Sequence, residues 1–411
     1  MNSVETDRAR SALPILALIV CIGLALRLAA VFAFAHVPES DELAYRSMAL
    51  NLVAGREMVD DLGNRAMYNA GYPVFVLAPV YALFGDNLLL ARVVNVLLGG
   101  TSIALCYAVA REAGAGRLGR LLAAALWAIY LPASVYVVYL LKENLMTPLM
   151  LGLVWCALRL VKRDSNTAAI ACGVLLGALA LTGNAALCLV SIVALAVAWA
   201  PASGLRRLTL SLLILGISIA LPTPWILRNL QAIGAPVLNT NGGFNLYLGN
   251  NPDATGMFVS IADTPRGPTW QALRKQGEYQ ASEILKHEAI SWIQSHPAEF
   301  VELAVKKAAY FWQPPLHDGK GQQSSKEKLV RLIWAVEFLV IAASALSTLL
   351  VPRLRDRLRA LLWLALVSYT AVHMLFYVIL RYREPIMPVL TILSALAIEH
   401  WLVGRRKAAS A

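Results

Sequence analysis

The chain has 411 residues, of which 58% are hydrophobic and only 15% charged. Soluble domains carry about 25% charged residues, and with a mean hydropathy of +0.61 most of this chain must be solvated by lipid. The net charge of +11 sits in short stretches between apolar runs rather than on one basic domain, so no nucleic-acid partner is expected. Cys21, Cys106, Cys156, Cys172 and Cys188 all lie inside apolar runs, with no CxxC and no His at ligand spacing, which argues against a disulfide framework or a zinc site.

A crossing needs about 20 apolar residues, and in chain order the candidates lie near 13–35, 89–111, 118–138, 142–161, 167–183, 185–200, 207–228, 329–351, 358–380 and 383–403. Ala33-Phe34-Ala35 mimics a signal-peptide cleavage site, but the first apolar stretch is too long for one and further spans follow it. Gly71 to Gly85 is apolar, too short to cross and interrupted by two prolines, and reads as a re-entrant or interfacial helix. Counting it as a crossing would invert every later loop. Arg8 and Arg10, Arg111 to Arg120, Arg159 to Arg163, Arg206 and Arg207, Arg353 to Arg359, and Arg405 to Lys407 then fall on one side. The positive-inside rule makes that side the cytoplasm of a bacterial inner membrane, with both termini cytoplasmic.

The expected architecture is all-α and polytopic, with about ten transmembrane helices. It divides into an N-terminal membrane module (1–228) that includes a first outer loop (36–88), an outer segment (229–328) and C-terminal membrane helices (329–411). The outer segment reads as helical near 269–287 and 297–312, with Lys306, Lys307 and Tyr310 to Trp312 placing one helix end at the membrane interface.

Candidate chemistry follows the same order. Arg27 lies within the first span, where a central charge costs about 2.5–3.5 kcal/mol on insertion scales, so it needs a partner: an interface to snorkel to, an acid, or a groove for a ligand. Pro38 to Tyr45 reads as a helix start with Ser40 as N-cap and Gly55 as stop, placing Asp41, Tyr45 and Met48 on one face. The helix dipole favours ionised Asp41, as a general base requires. An acid in a first turn also serves stability alone, and Glu42 with Arg46 makes an ordinary i,i+4 pair. Lys142 and Glu143 mark an outer turn between spans. Glu143 could orient an acceptor, hold a divalent cation together with Asp41 through oxygen ligands, or simply cap the hairpin.

The run Asn241 to Asn251 combines glycines, asparagines, Phe244 and Tyr247. Amides and rings suit carbohydrate, although Gly and Asn are equally the residues of tight turns; Tyr45, Asn241, Asn245, Tyr247 and Asn250 are the candidates for contact with a sugar or acceptor. Arg381 and Arg383 flank Tyr382 at an outer span boundary, and Arg228 ends another span. Guanidinium groups suit phosphate by donating paired hydrogen bonds, and also snorkel to head groups. His287, His296 and His317 lack ligand spacing and read as surface residues.

The Asp41-Glu42 pair after the first span is followed by Gly71-Tyr72-Pro73, Leu83-Phe84-Gly85, Ala91-Arg92-Val93-Val94-Asn95 and Tyr139 to Asn144. Pro224 to Asn229, Asn241 to Asn251 and Arg381 to Pro385 complete an ordered set that resembles the GT-C superfamily of integral-membrane glycosyltransferases. The likeness is strongest to the branch of protein O-mannosyltransferases and lipid A aminoarabinose transferases. It implies a polyprenyl-phosphate-linked sugar donor and transfer with inversion to an acceptor hydroxyl at the outer, periplasmic face. Asp41, with Glu42 beside it, would be the catalytic acid pair; Arg381, Arg383, Arg228 and Lys142 would face the donor phosphate. A divalent cation stays open, with Asp41 and Glu143 as its ligands, and the sugar and the acceptor (protein, lipid or glycan) are not specified. No soluble domain follows the last span, so a large folded acceptor is not expected. The rival readings are a secondary transporter or lipid flippase, disfavoured because no inverted repeat or midplane Gly/Pro break is visible, and a non-catalytic member of a glycan-assembly complex.

Overall fold

The computed structural model describes residues 12–316 and 324–409, with side chains as far as Val403. Arg8, Arg10 and His317, and the side chains of Arg405 to Lys407, lie outside the described residues. The described chain is helical, without a strand; its one β-like contact is the isolated bridge between Met257 and Val378.

In chain order the helices are α1 (Leu13–Ala33), α2 (Asp41–Val53), α3 (Pro73–Phe84), α4 (Leu88–Glu112), α5 (Arg117–Ile129), α6 (Leu131–Val138), α7 (Glu143–Lys162), α8 (Asn166–Thr182) and α9 (Asn184–Ala198). There follow α10 (Gly204–Ile233), α11 (Asn241–Gly249), α12 (Trp270–Arg274), α13 (Glu278–Ser295), α14 (Pro297–Trp312), α15 (Ser325–Ser347), α16 (Arg357–His373) and α17 (Leu380–Val403). Six described helices (α1, α4, α7, α10, α15 and α17) are long and apolar enough to cross a membrane, or seven if the bent pair α5–α6 is one span. The other three expected crossings coincide with α8, α9 and α16, which are shorter, so the count of ten is not fixed by helix length. The helix α3, expected to be re-entrant or interfacial, widens to π register over Pro73–Leu77, just before Pro79, which has no N–H to donate. Its buried face (Val76, Leu77, Tyr81) packs with Tyr45 and Met48 of α2.

The apolar pattern decides which helices are central. α7 and α17 are buried along most of their length, whereas α1, α10 and α15 expose theirs; Leu208, Leu212, Leu215 and Ile219 of α10 form one uncovered apolar stripe, a surface suited to lipid. The main core joins α4, α5, α7, α8, α16 and α17, with Cys106, Cys156 and Cys172 buried in it and no disulfide among the described cysteines.

Polar side chains repair the backbone where helices break. Between α5 and α6 the chain bends by 57°, because Pro132 cannot donate to Ala128 O and the Leu131 N–H turns instead to Glu337 Oε2 (3.0 Å). The two carbonyls left over, Trp127 O and Ala128 O, accept from the Arg27 guanidinium at 3.1 and 3.0 Å. Gly99 makes room: a Cβ there would stand 2.6 Å from Arg27 Nε. The partner sought for this intramembrane charge is thus a broken helix.

Residues 36–87 and 234–316 pack together at one end of the bundle. Thr240 N donates to Ala66 O (2.8 Å), and Glu278 accepts from the backbone of Arg65 and Ala66 (2.8 and 3.1 Å). The Arg- and Lys-bearing loops gather at the opposite end, where Glu399 accepts from Gly116 N and Gly119 N (2.7 and 2.9 Å) and Arg206 pairs with Asp164 (2.9 Å).

Candidate active site

The site is built on a non-helical stretch, 139–142, that joins α6 to α7 in the interior of the bundle end. Buried backbone polar groups need partners. Asn95 Nδ2 donates to Val137 O and Tyr139 O (3.2 and 3.1 Å), Arg92 to Val138 O and His36 O (2.7 and 2.6 Å), and Asn144 Nδ2 to Tyr139 O again and to Tyr136 O and Leu141 O. Leu140 N donates to Glu42 Oε1 at 2.6 Å, while Glu42 Oε2 meets His36 Nε2 at 2.5 Å. Glu42 is buried and serves as a clamp between the start of α2 and the start of α7.

That clamp sets the neighbouring Asp41. Ser40 precedes it at φ 50°, ψ −121°, the one described non-glycine residue with positive φ, and its hydroxyl makes no capping bond. Ser40 therefore occupies the N-cap position without the expected side-chain cap, and such a conformation costs about 1–3 kcal/mol. Gly55 ends the helix as expected, at φ 66°.

Asp41 makes an ion pair with Arg381, whose Nε lies 3.7 Å from Glu143 Oε1. The guanidinium thus stands between two carboxylates, one about a quarter exposed (Asp41, 24%) and one buried (Glu143, 7%). Lys142 adds a second cation, 3.4 Å from Asn69 Oδ1, and Asn69 donates to Asn184 Oδ1 at 2.8 Å. Behind this cluster lies a cavity of about 160 Å³, lined by Lys142, Glu143, Asn241, Asn245, Tyr377 and Tyr382 among others. Tyr382 donates to Tyr377 Oη (3.0 Å), which reaches Asn245 Oδ1 at 3.5 Å. Burial pushes the phenols of Tyr45 and Tyr68 further up from an ordinary value at which they are already neutral near pH 7. Glu143 Oε2 has no hydrogen-bond partner among the described residues, and Glu143 also lines a separate void of about 30 Å³ shared with Arg27, Tyr136 and Glu384.

Of the residues singled out from sequence, Asp41, Arg381, Glu143, Lys142, Asn241 and Asn245 are brought together; the others are not. Arg383 points into the bundle, donating to Phe311 O and Gln313 O (3.2 and 2.7 Å) with its guanidinium 4.2 Å from the Phe338 ring. Arg228 donates to Arg65 O and Met58 O (2.6 and 2.8 Å) and pins the 56–66 loop. Tyr45 is enclosed between Tyr68 and Tyr72, with ring centroids 5.6 and 5.8 Å away. Tyr247 is buried between α11 and α13, and Asn250 bridges Leu246 O, Leu375 O and Lys307.

Among the described residues no three His, Cys, Asp or Glu side chains converge. Arg381 already stands between Asp41 and Glu143, so this arrangement does not fit a divalent cation. Asn69, Asn184, Asn239 and Tyr377 line the cavity without having been anticipated. Asn184 carried a usable signal: it is a lone amide between two apolar runs, where bilayer-facing chain avoids one.

A family model described as dolichyl-phosphate-mannose-protein mannosyltransferase matches residues 72–227. That span holds Lys142, Glu143 and Asn184 but not Asp41 or Arg381. Among solved structures, the archaeal oligosaccharyltransferase AglB from Archaeoglobus fulgidus, in complex with an inhibitory peptide and a dolichol-phosphate, is similar at TM-score 0.54. It is 12% identical over 97% of this chain and 52% of its own. The apo form of the Archaeoglobus fulgidus oligosaccharyltransferase gives 0.56, at 12% identity over the same shares. The chain has the GT-C membrane fold. ArnT from Cupriavidus metallidurans, bound to undecaprenyl phosphate, is 15% identical over 95% of this chain and 77% of its own, at TM-score 0.46. No curated protein matches. The chain spans about half the length of the oligosaccharyltransferase.

Proposed function

We propose that the protein transfers a sugar from a polyprenyl-phosphate-linked donor to an acceptor hydroxyl, with inversion, at the periplasmic face of a bacterial inner membrane. One observation carries the reading: an arginine held between two carboxylates, one of which lines an amide- and tyrosine-lined cavity, on the helix-bundle end away from the basic loops. The polyprenyl-linked chemistry is supported by the family match and by the dolichol-phosphate bound to the similar oligosaccharyltransferase.

In this mechanism the donor phosphate takes up the guanidinium of Arg381, with Lys142 as second cation. Asp41, released from its ion pair, accepts the proton of the acceptor hydroxyl as the oxygen attacks the anomeric carbon. The bond from that carbon to the phosphate oxygen breaks, and polyprenyl phosphate leaves with its charge matched by Arg381 and Lys142. Asp41 then returns its proton to water. Glu143 holds Arg381 in place from the buried side.

The test is transfer from a labelled polyprenyl-phosphate sugar in membranes containing the protein. Asp41→Asn keeps the size and the folding of the chain but cannot accept the proton, and is expected to lower transfer at least about 10³-fold. Near-normal turnover by a well-expressed Asp41→Asn variant rules out the mechanism.

A further inference from the structure

A second cavity, of about 220 Å³, lies between the 62–68 loop and α11, α12 and α13. It stands back to back with the first: Asn69, Asn241 and Asn245 line one cavity, and their chain neighbours Tyr68, Thr240 and Phe244 line the other. Tyr68 connects it to the chemistry, because its ring meets Tyr45 at 5.6 Å and its phenol feels the charge of Asp41.

The walls are aromatic. Phe244 and Trp270 lean together with centroids 5.4 Å apart, and Tyr68 adds a third ring to the lining. The polar groups retain capacity. Arg274 makes one long hydrogen bond, 3.4 Å to Leu62 O, and the Trp270 indole N–H has no acceptor among the described residues. Asn64 donates its amide to Asp60 and keeps its own oxygen free. Glu278, in contrast, is fully engaged by Arg65 N, Ala66 N and Thr240.

We propose that this cleft binds the acceptor, and that the acceptor is a carbohydrate whose ring stacks on Trp270 and Phe244 while its hydroxyls meet Asn64 and Arg274. Rings offer a pyranose face apolar contact, and an amide with a guanidinium serves both hydroxyl donors and acceptors. The cleft is built from loop and amphipathic helix outside the long apolar helices, which does not suit a lipid tail. A peptide bound by strand addition would need a strand edge, and the described residues contain no strand. The assignment rests on the transferase reading, since it names the acceptor of that same site.

The test is saturation-transfer NMR on the purified full-length protein in detergent. The probes are mannose, galactose, arabinose and N-acetylglucosamine oligosaccharides, with a serine- and threonine-containing peptide as comparison. At least one oligosaccharide is expected to bind. Trp270→Ala should weaken that binding about tenfold, the order one stacked ring supplies, while Trp270→Phe retains most of it and Asp41→Asn leaves it unchanged. No signal from any oligosaccharide, preference for the peptide, or indifference to Trp270→Ala overturns the proposal. Oligosaccharide binding by a parent protein that transfers no sugar from any polyprenyl-phosphate donor sinks the transferase reading and leaves the cleft. Transfer to a lipid or peptide that ignores Trp270→Ala sinks the cleft and leaves the transferase.

Discussion

Lys307 is fully buried, and its ammonium has one hydrogen bond, 3.0 Å to Asn250 Oδ1. Burial pulls its pKa down from 10.5 to about 8. For a basic group lowered on folding, the unfolded chain holds the extra proton between those values, so stability rises with pH from about 8 to 10.5 and the penalty is fully present below 8. Lys307→Met removes that dependence. Its stability relative to the parent, followed by thermal unfolding in detergent, should fall by at most about 3 kcal/mol between pH 7 and pH 10.5. A pH-independent difference would mean the ammonium is solvated.

Arg381 and Arg383 pose a residue-scale contrast of another kind. Their segment, 380–386, is a 3₁₀ helix, and two residues at 3.0 per turn lie about 240° apart. One therefore meets Asp41 and Glu143, and the other faces α14, where Pro315 leaves Phe311 O without a helical donor. Arg381→Met is expected to abolish transfer with little change in unfolding temperature. Arg383→Met should cost about 2–4 kcal/mol of stability through its orphaned carbonyls. The reverse pattern in activity and thermal unfolding would exchange their roles.

At the scale of elements, α2 matters through its start. Glu42 joins that start to the chain before α7, so Glu42→Ala leaves the Leu140 N–H unpaired and frees Asp41 to drift from Arg381. A misplacement of about 1 Å can cost 10²-fold in rate. Glu42→Ala is expected to lower kcat by about that factor, and Glu42→Gln, which still accepts from Leu140 N, by much less. Equal activity of Glu42→Ala and the parent would show that the clamp is dispensable.

The same elements indicate what the sequence could reveal. Apolar runs located the helices because lipid demands them, and the polar loops located the site end. The run 118–138 read as one span because hydropathy does not register a proline-induced break; the break became visible only with the partner of Arg27. Arg383 read as a phosphate ligand because sequence spacing does not distinguish the faces of a short 3₁₀ helix. Glu42 read as half of a catalytic pair because its true neighbour, Leu140, is 98 residues away.

Across the whole molecule, the proposed reaction depends on which face of the membrane the cluster occupies. The cavity, both long segments and the Asp41–Arg381 pair share one end, while Glu399, Arg206 and Asp164 share the other. If the positive-inside rule holds, the first end is periplasmic. Two single cysteines test it. Gln276→Cys lies on the exposed rim of the site end, and Gly204→Cys lies in open space at the basic end. The native cysteines fall within α1, α4, α7, α8 and α9, where lipid or packing shields them from a charged reagent. In intact cells a membrane-impermeant thiol reagent that reaches the periplasm should label Gln276→Cys and spare Gly204→Cys, which reacts only after permeabilisation. Labelling of Gly204→Cys alone in intact cells would place the carboxylates and Arg381 in the cytoplasm, where the donor sugar would have to be presented on the opposite leaflet.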